Sequence, residues 1–499
     1  MHGEVHMKQT LPEIIFSGSN NSESKIISHL IKMKRIRKLI PRIYTSNFVD
    51  DNSLIIIRNK WAILGHLFPG AIVSHRSAME WNQTSSGDLF LTYKYNKIVN
   101  YPGLTIHLLS GPGATSHDQC LPTGLCISSP PRALLENLQP TKERAGMTKT
   151  LDRSDIENHL DSICRIKGED ALNNLRDNAK VQAAELDMEK QYKILTSIIS
   201  AILSTHPAPD LHSPLTQARS KGYPYDPFRL ELFNTLFSEL GRSIHPSVLS
   251  TQLTSQEYQL FAFFDAYFSN YIEGTTFELD EAREIVFNNH VPYQRPSDAH
   301  DIRGTYQIVS NPDEMNSGSN DYSSYQLLLQ SRHMGIMSMR FDKSPGQFKL
   351  KPNRAGGTHF VNPELVKGTL LKGWEMQNGL PDAVSRAIFQ MFIVSEVHPF
   401  EDGNGRIARI MMNAELEKSG FQKILIPTVY RENYLIALKA LSHSKNPVPL
   451  IETLLKAQLF SSQINFHDWE SAVTGLTKCN AFMEPDKARL LLPSEVFDN

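Results

Sequence analysis

Between Val397 and Met412 the chain reads VHPFEDGNGRIARIMM, placing a histidine, two carboxylates, two glycines around an asparagine and two arginines in an otherwise apolar region. Imidazole is the side chain best matched to proton transfer near neutral pH, so His398 is a candidate general base. Glycine and asparagine tolerate left-handed backbone, so the amides of Gly403, Asn404 and Gly405 can form a concave anion nest. Arg406 and Arg409 offer guanidinium forks that suit phosphate, and Asp402 beside phosphates is a candidate Mg²⁺ ligand. Together they describe phosphoryl or nucleotidyl transfer.

Three other readings fit less well. An EF-hand loop registered on Asp402, Asn404 and Gly405 would put Phe400 at its first position and Met411 at its twelfth, where neither supplies an oxygen. Gly403, Gly405 and Ala408 mimic a dinucleotide fingerprint, but the preceding PDAVSRAIFQMFIVSEV has helical period instead of strand alternation. A plain polar loop between two helices meets an electrostatic objection. The run GNGRIARIMMNAELEKSG reads as a helix from about Gly405 to Gly420, which puts Arg406 and Arg409 in its first turn, against the dipole by about 0.3–1 kcal/mol each. An anion is expected there, and helix-terminal amides with two arginines suit a polyphosphate.

An upstream element bears on the same site. TSQEYQLFAFFDAYFSNYIEG opens with a capping box, Thr254 and Glu257, and closes on Gly274, a good residue for the position after a helix end. Leu260, Phe264, Tyr267, Phe268 and Tyr271 give it an apolar face, while Ser269 and Glu273 share another face four apart. Taken alone, Glu273 reads as a solvated helix-end carboxylate.

HPFEDGNGRIAR, His398 to Arg409, fits in full the H-x-F-x-[DE]-G-N-G-R-x-x-R signature of Fic domains, and residues 250–460 resemble that family. The resemblance implies His398 as base, Asp402 as Mg²⁺ ligand, Gly403–Asn404–Gly405 on the α- and β-phosphates, Arg406 and Arg409 on the outer phosphates, and Phe400 as the buried anchor of the loop. The implied reaction moves AMP from ATP to a protein hydroxyl and releases pyrophosphate. SNYIEG resembles the [ST]-x-x-x-E-[GN] inhibitory motif of self-restrained Fic proteins, which implies that Glu273 pairs with Arg409 while Ser269 and Gly274 shape that helix end. Residues 344–366 lie where relatives carry a β-hairpin flap for the target. An ordinary surface hairpin is the competing reading. Arg431 and Tyr434 resemble adenine-side pocket residues, and Ser442 stands where many relatives have asparagine, which leaves the base open. A Fic enzyme using another nucleotide, or one removing AMP, remains an alternative. The implied partner is a protein, the chain itself included, and an oligomer is compatible.

These residues sit in a long chain of 499 residues with 40% hydrophobic and 21% charged residues and a formal net charge of −2, ordinary for a soluble protein and unlike a general nucleic-acid surface. The start MHGEVHMKQTLPEIIF has no leader pattern and no apolar run is long enough to span a membrane, so the expected location is the cytoplasm with no membrane association. Cys120, Cys126, Cys164 and Cys479 show neither zinc spacing nor a disulfide framework and are expected as reduced thiols.

The expected fold is multi-domain: a mainly α-helical Fic domain with a short β-hairpin flap, preceded by a mixed α/β region that includes a candidate winged helix. The parts are 1–50 (winged-helix candidate), 51–190 (α/β), 191–249 (helical segment and a proline-rich linker, THPAPDLHSPLTQARSKGYPYDP), 250–460 (Fic domain) and 461–499 (C-terminal extension). No internal repeat is evident. HLIKMKRIRKLIPRIYTSN carries six basic residues from Lys32 to Arg42. Its helix, basic run and short strand resemble the degenerate winged helix of AbiEi-type antitoxins, as FPGAIVSHRSAMEW and SSPPRALLENL resemble later segments of that family. That resemblance implies salt-dependent DNA binding through residues such as Arg35 and Arg37, and gives a second function class, a DNA-binding regulator with a Fic effector.

Overall fold

Short β-rich runs broken by glycine turns build two sheets in the first half of the chain. The computed structural model describes residues 11–17, 21–141, 148–204, 210–242, 245 and 248–497. The chain start and the 205–209 part of the expected linker lie outside the described residues. The chain divides into two units, 1–220 and 221–499.

In the first unit Ile43–Thr45 forms the centre of a three-stranded antiparallel sheet between Ile14–Phe16 and Arg37–Ile40, accompanied by the helix Asn21–Lys32. The Arg37 guanidinium donates to the carbonyls of Asn47 (2.7 Å) and Asp50 (2.9 Å), so it braces the loop that follows the sheet. A six-stranded mixed sheet follows, with Leu104–Ser110 parallel to Asp88–Tyr93 and antiparallel to Lys97–Tyr101. At its far edge Cys120 pairs directly with Cys126, and the two are joined by a disulfide. This corrects the expectation of four reduced thiols. The intervening turn brings the pair into cross-strand register, which their six-residue spacing does not announce; Cys164 and Cys479 are buried and form no disulfide. Helices such as Arg153–Lys167, Glu169–Glu185 and Glu189–Ile202 complete the unit around Leu160, Leu172, Leu195 and Ile199.

The second unit is helical. Its centre is the helix Ala383–Val397, apolar on nearly every face, as a helix buried all round must be. It packs against Asn404–Lys418, whose Ile407 and Met411 lie in the core, while its Phe389 and Phe392 rings meet Phe233. Fold class therefore agrees with the sequence: several domains, mainly helical, with an α/β region first.

The helix Ser255–Ile272 starts where Thr254 and Glu257 close a reciprocal capping box. It ends in a Schellman arrangement: the Thr275 N–H reaches the Asn270 carbonyl and the Gly274 N–H reaches the Tyr271 carbonyl, both at 3.0 Å, with Gly274 at φ +92°. One face of this helix packs Phe261, Phe264 and Phe268 against Phe466, Trp469 and Phe482, so residues from the C-terminal extension cover it. Another face carries Asp265, Ser269 and Glu273 at four-residue intervals toward the helix Asn404–Lys418, where Asn413 donates to Asp265 (3.0 Å) and Arg409 to Ser269 Oγ (2.9 Å). Nothing lies within 4 Å of the position a Cβ would take on Gly274. Gly274→Ala should therefore cost only the left-handed strain of an L-residue, about 1–2 kcal/mol, read as a lower urea midpoint of the full chain; an unchanged midpoint would mean this turn does not hold the helix end.

Candidate active site

His398 closes the helix Ala383–Val397 in the left-handed region, φ +52°, with its N–H on the Val394 carbonyl. That turn reverses the chain so that helix and following loop share one surface. Nδ1 lies 3.1 Å from the Ser395 carbonyl, which only accepts, so Nδ1 carries the proton and Nε2 keeps its lone pair. Burial pushes the imidazole down to about 4, which keeps it neutral, and therefore basic, at pH 7.

The loop from 399 to 403 is fixed from inside. Phe400 is fully buried, and the Asn404 side chain accepts from its N–H (2.8 Å) and donates to its carbonyl (2.9 Å). His333 stacks on the Phe400 ring at 3.8 Å, accepts from the Gly346 N–H through Nδ1 and donates through Nε2 to the Asp402 carbonyl (3.0 Å). Gly403 takes φ +73° as the residue before the helix Asn404–Lys418, and Asp402 Oδ1 accepts from the Gly403 N–H (2.7 Å). Asn404 thus acts through its side chain on Phe400, and the amides at the start of this helix form the anion-receptive end. Asp402 is exposed. Among the described residues no cluster of three or more His, Cys, Asp or Glu side chains could hold a metal unaided. A single carboxylate fits a Mg²⁺ that arrives with phosphates, since such ions take one or two carboxylates plus phosphate oxygens.

Glu273 lies at that same helix start. Its Oε1 accepts from Arg409 Nη2 at 2.7 Å, and a Cβ added to Gly405 would overlap this oxygen and lie 2.9 Å from the carboxyl carbon. Only a glycine leaves room for the carboxylate over the helix end. Arg409 is buried, and its Nε and Nη2 also reach Ser269 Oγ (2.9 Å) and the Ser269 carbonyl (2.8 Å). Arg406 does not join it. Its guanidinium is buried against Asp301 (3.2 Å), Asn270 Oδ1 (3.4 Å) and Met337 Sδ (3.3 Å). Arg431 Nε donates to the Ile272 carbonyl (3.0 Å) and so braces the Glu273 end of its helix. Tyr434 is buried beside Arg409, its ring 6.0 Å from the guanidinium and its hydroxyl on Met391 Sδ (3.3 Å).

Residues 344–366 contain a two-stranded antiparallel hairpin, Arg354–Ala355 with Thr358–His359, turning through Gly356 and Gly357. Several residues around it, unmarked in the sequence, tie it to His398. Phe360 lies flat on the His398 ring, centroids 3.7 Å apart at 4°. The Lys349 N–H donates to the Pro399 carbonyl (2.9 Å), and its ammonium to Asn353 Oδ1 (2.7 Å) and the Val397 carbonyl (3.3 Å). Burial, then the nearby Arg229 charge, bring that ammonium down to about 7. Arg229 bridges Glu396 and the His359 carbonyl, while Ser442 donates to the other Glu396 oxygen (2.6 Å). Ser442 is therefore engaged with the helix that ends at His398. These partners come from distant stretches, so only the presence of a hairpin was open to sequence reasoning.

Residues 323–416 match the model of the Fic/DOC family. A probable protein adenylyltransferase of Aquifex aeolicus is 25% identical over 140 residues, 28% of this chain and 41% of that protein. The protein adenylyltransferase Fic of Culex quinquefasciatus is 26% identical over 173 residues, 34% of each. The chain thus spans well under half the length of these curated relatives. A solved Fic-domain-containing signalling protein of Bacteroides thetaiotaomicron is 18% identical with a TM-score of 0.38, covering 49% of this chain and 97% of that one. No helix among the described residues is long and apolar enough to cross a membrane. With the twelve-residue signature intact from His398 to Arg409, the segment 323–416 is a domain of the Fic/DOC family.

Proposed function

We propose that this site transfers AMP from ATP to a hydroxyl side chain of a protein, releasing pyrophosphate, and that Glu273 restrains it by holding Arg409. The observation that carries the reading is a neutral histidine with Nε2 free, one short loop from a helix start built to receive anions and answered by a carboxylate. The names of the relatives, protein adenylyltransferases, support ATP as the donor.

In this reading His398 Nε2 takes the proton of the acceptor hydroxyl as its oxygen attacks the α-phosphorus, and the bond from that phosphorus to the bridging oxygen breaks as pyrophosphate departs. The amides at Gly403 to Gly405 receive the α- and β-phosphates, and Arg409, once released, takes an outer phosphate. Arg406 acts behind them, pinning the helix start to Asp301 and Asn270. The exposed carboxylate of Asp402 would hold Mg²⁺, which when bound supplies positive charge to the phosphates. Phe360 is a positioning residue that keeps the imidazole plane fixed.

Glu273 restrains the site in two ways. Its charge replaces the phosphate on Arg409, and its carboxyl fills the space above Gly405. ATP can then approach without seating its α-phosphate in line with the attacking hydroxyl. A charge-assisted contact of this kind is worth about 1.5–3 kcal/mol.

The reaction is tested with the Glu273→Gly chain, Mg²⁺ and ATP labelled on either the α- or the γ-phosphate, against purified chain and a cell lysate. Label should enter protein from the α position only and vanish in Glu273→Gly/His398→Ala; transfer of γ-label, or α-transfer that survives without His398, would refute adenylyl transfer. Because burial keeps His398 neutral down to about 4, its kcat/KM should stay level from pH 8 to pH 5 and fall with acid below that. An acid limb centred near the ordinary histidine value of about 6.5 would contradict the buried base. Phe360→Ala in the same background should lower kcat for transfer by about threefold to tenfold, the worth of one aromatic stack, with KM for ATP unchanged; an equal kcat would remove its positioning role.

A further inference from the structure

The hairpin face beside His398 differs in charge from the chain as a whole. From Ser344 to Lys367 there are four lysine or arginine residues and one carboxylate, Glu364, against a formal net charge of −2 for the full sequence. Lys343, just before this stretch, is taken up by Asp342 (3.5 Å) and Glu401 (3.4 Å), and Lys349 is buried on Asn353 and the Val397 carbonyl. The other three, Lys351, Arg354 and Lys367, are exposed, and their charged groups have no hydrogen-bond or ion-pair partner among the described residues. Glu364 is exposed as well, which leaves three open cations to one carboxylate.

The same stretch and the helix Tyr322–Ile336 wall a groove of about 520 Å³, lined by Gln330, Phe348, Leu350, Pro363, Glu364 and Lys367. Its walls are held from within. Gln330 Nε2 donates to the Gly346 carbonyl (2.9 Å), Gly346 sits at φ +76° where a Cβ would lie 2.9 Å from Met334 Cε, and Phe348 packs on Phe400 with ring centroids 5.4 Å apart. Leu350 in the groove wall is 88% exposed, and on the helix Leu327 and Met334, about one turn to either side of Gln330, are 67% and 56% exposed. A set of large apolar side chains gathered around a groove marks a binding surface, unlike the single leucines that any surface carries. The groove also lies close to His398: Lys349, next to Leu350, sets its N–H on the carbonyl of Pro399 (2.9 Å).

We infer that this face selects its partner by charge, and that the partner is an acidic, extended segment of the acceptor protein with an apolar side chain seated in the groove against Leu350. The inference rests on the proposed reaction and names its acceptor class: a hydroxyl presented to His398, with Asp or Glu side chains over Lys351, Arg354 and Lys367. At physiological ionic strength exposed charges act over about 8 Å, so the open cations of this face, and not the net charge of the chain, decide which segment settles on it. Carboxylates answer those cations and a basic segment is repelled, while burial of Leu350 supplies the apolar contact.

The docking test needs no nucleotide and so stands apart from the reaction. Two fluorescein-labelled pools of short peptides, each with a central threonine and otherwise drawn from Leu, Ala, Gly and either Asp and Glu or Lys and Arg, are titrated with the full wild-type chain and read by anisotropy. The acidic pool should bind saturably and about tenfold or more tightly than the basic pool, with the difference shrinking as salt is raised. Lys351→Glu/Arg354→Glu should abolish or reverse the preference, and Leu350→Ser should weaken binding of the acidic pool by about tenfold. All three side chains are exposed, so neither variant disturbs the core. Equal binding of the two pools, no saturable binding of the acidic pool, or a preference unchanged in the double variant would overturn the surface. Transfer of α-label from ATP to the acidic pool by the Glu273→Gly chain is read in parallel. Selective binding without any transfer would count against the proposed reaction and leave the acidic docking preference in place.

Discussion

A guanidinium taken out of water must keep an anion beside it, and Arg409 is buried at the start of the helix Asn404–Lys418. Left unpaired, such a charge costs several kcal/mol. Much of the helical unit is arranged so that this anion is Glu273. The helix Ser255–Ile272 must end one residue short of it, the Schellman turn at Gly274 must set its direction, and Ser269 must accept from two further N–H groups of Arg409. A carboxylate at the C-terminal end of its own helix is poorly placed with respect to that dipole; here the amino-terminal end of the facing helix and Arg409 reverse the balance. Arg431 on the Ile272 carbonyl and Tyr271 on Glu484 (2.6 Å) hold the same helix end from outside.

The proposed base, His398, is built with the same economy of freedom. The left-handed turn at His398, the Ser395 carbonyl and the Phe360 ring fix its position, tautomer and plane, while burial keeps it neutral. The hairpin is coupled to it: Arg229 joins the His359 carbonyl to Glu396, two residues before His398, and Lys349 and Asn353 hold the backbone on either side of Pro399. Under the proposed function, a target segment pairing with this hairpin would act on the residues that position the imidazole, linking acceptor binding to catalysis.

The parts of this site legible in the sequence are those written in contiguous residues. The capping box at Thr254, the stop at Gly274 and the loop from His398 to Arg409 depend on neighbours within one or two turns, so type and spacing suffice. The direction of Arg406 does not follow from spacing. It sits three residues before Arg409, about 60° away around the helix, and that rotation is enough to face Asp301 instead of the nest. Phe360 meets His398 across 38 residues of chain and Arg229 meets Glu396 across 167, and nothing local marks either contact. The mixed order of the six-stranded sheet and the Cys120–Cys126 bond were hidden for the same reason: both are set by strand register between separate segments.

The central claim is that one carboxylate and one phosphate compete for Arg409, and it is tested most directly by removing the charge of Glu273 while keeping its size. The initial rate of α-label transfer from ATP is measured for the wild-type chain and for Glu273→Gln under the same conditions. Weakening the charged contact should raise the rate at least tenfold, corresponding to about 1.4 kcal/mol or more. An equal or lower rate in Glu273→Gln would contradict the account, because the pair would then be a support for the helix end and not a restraint on the reaction.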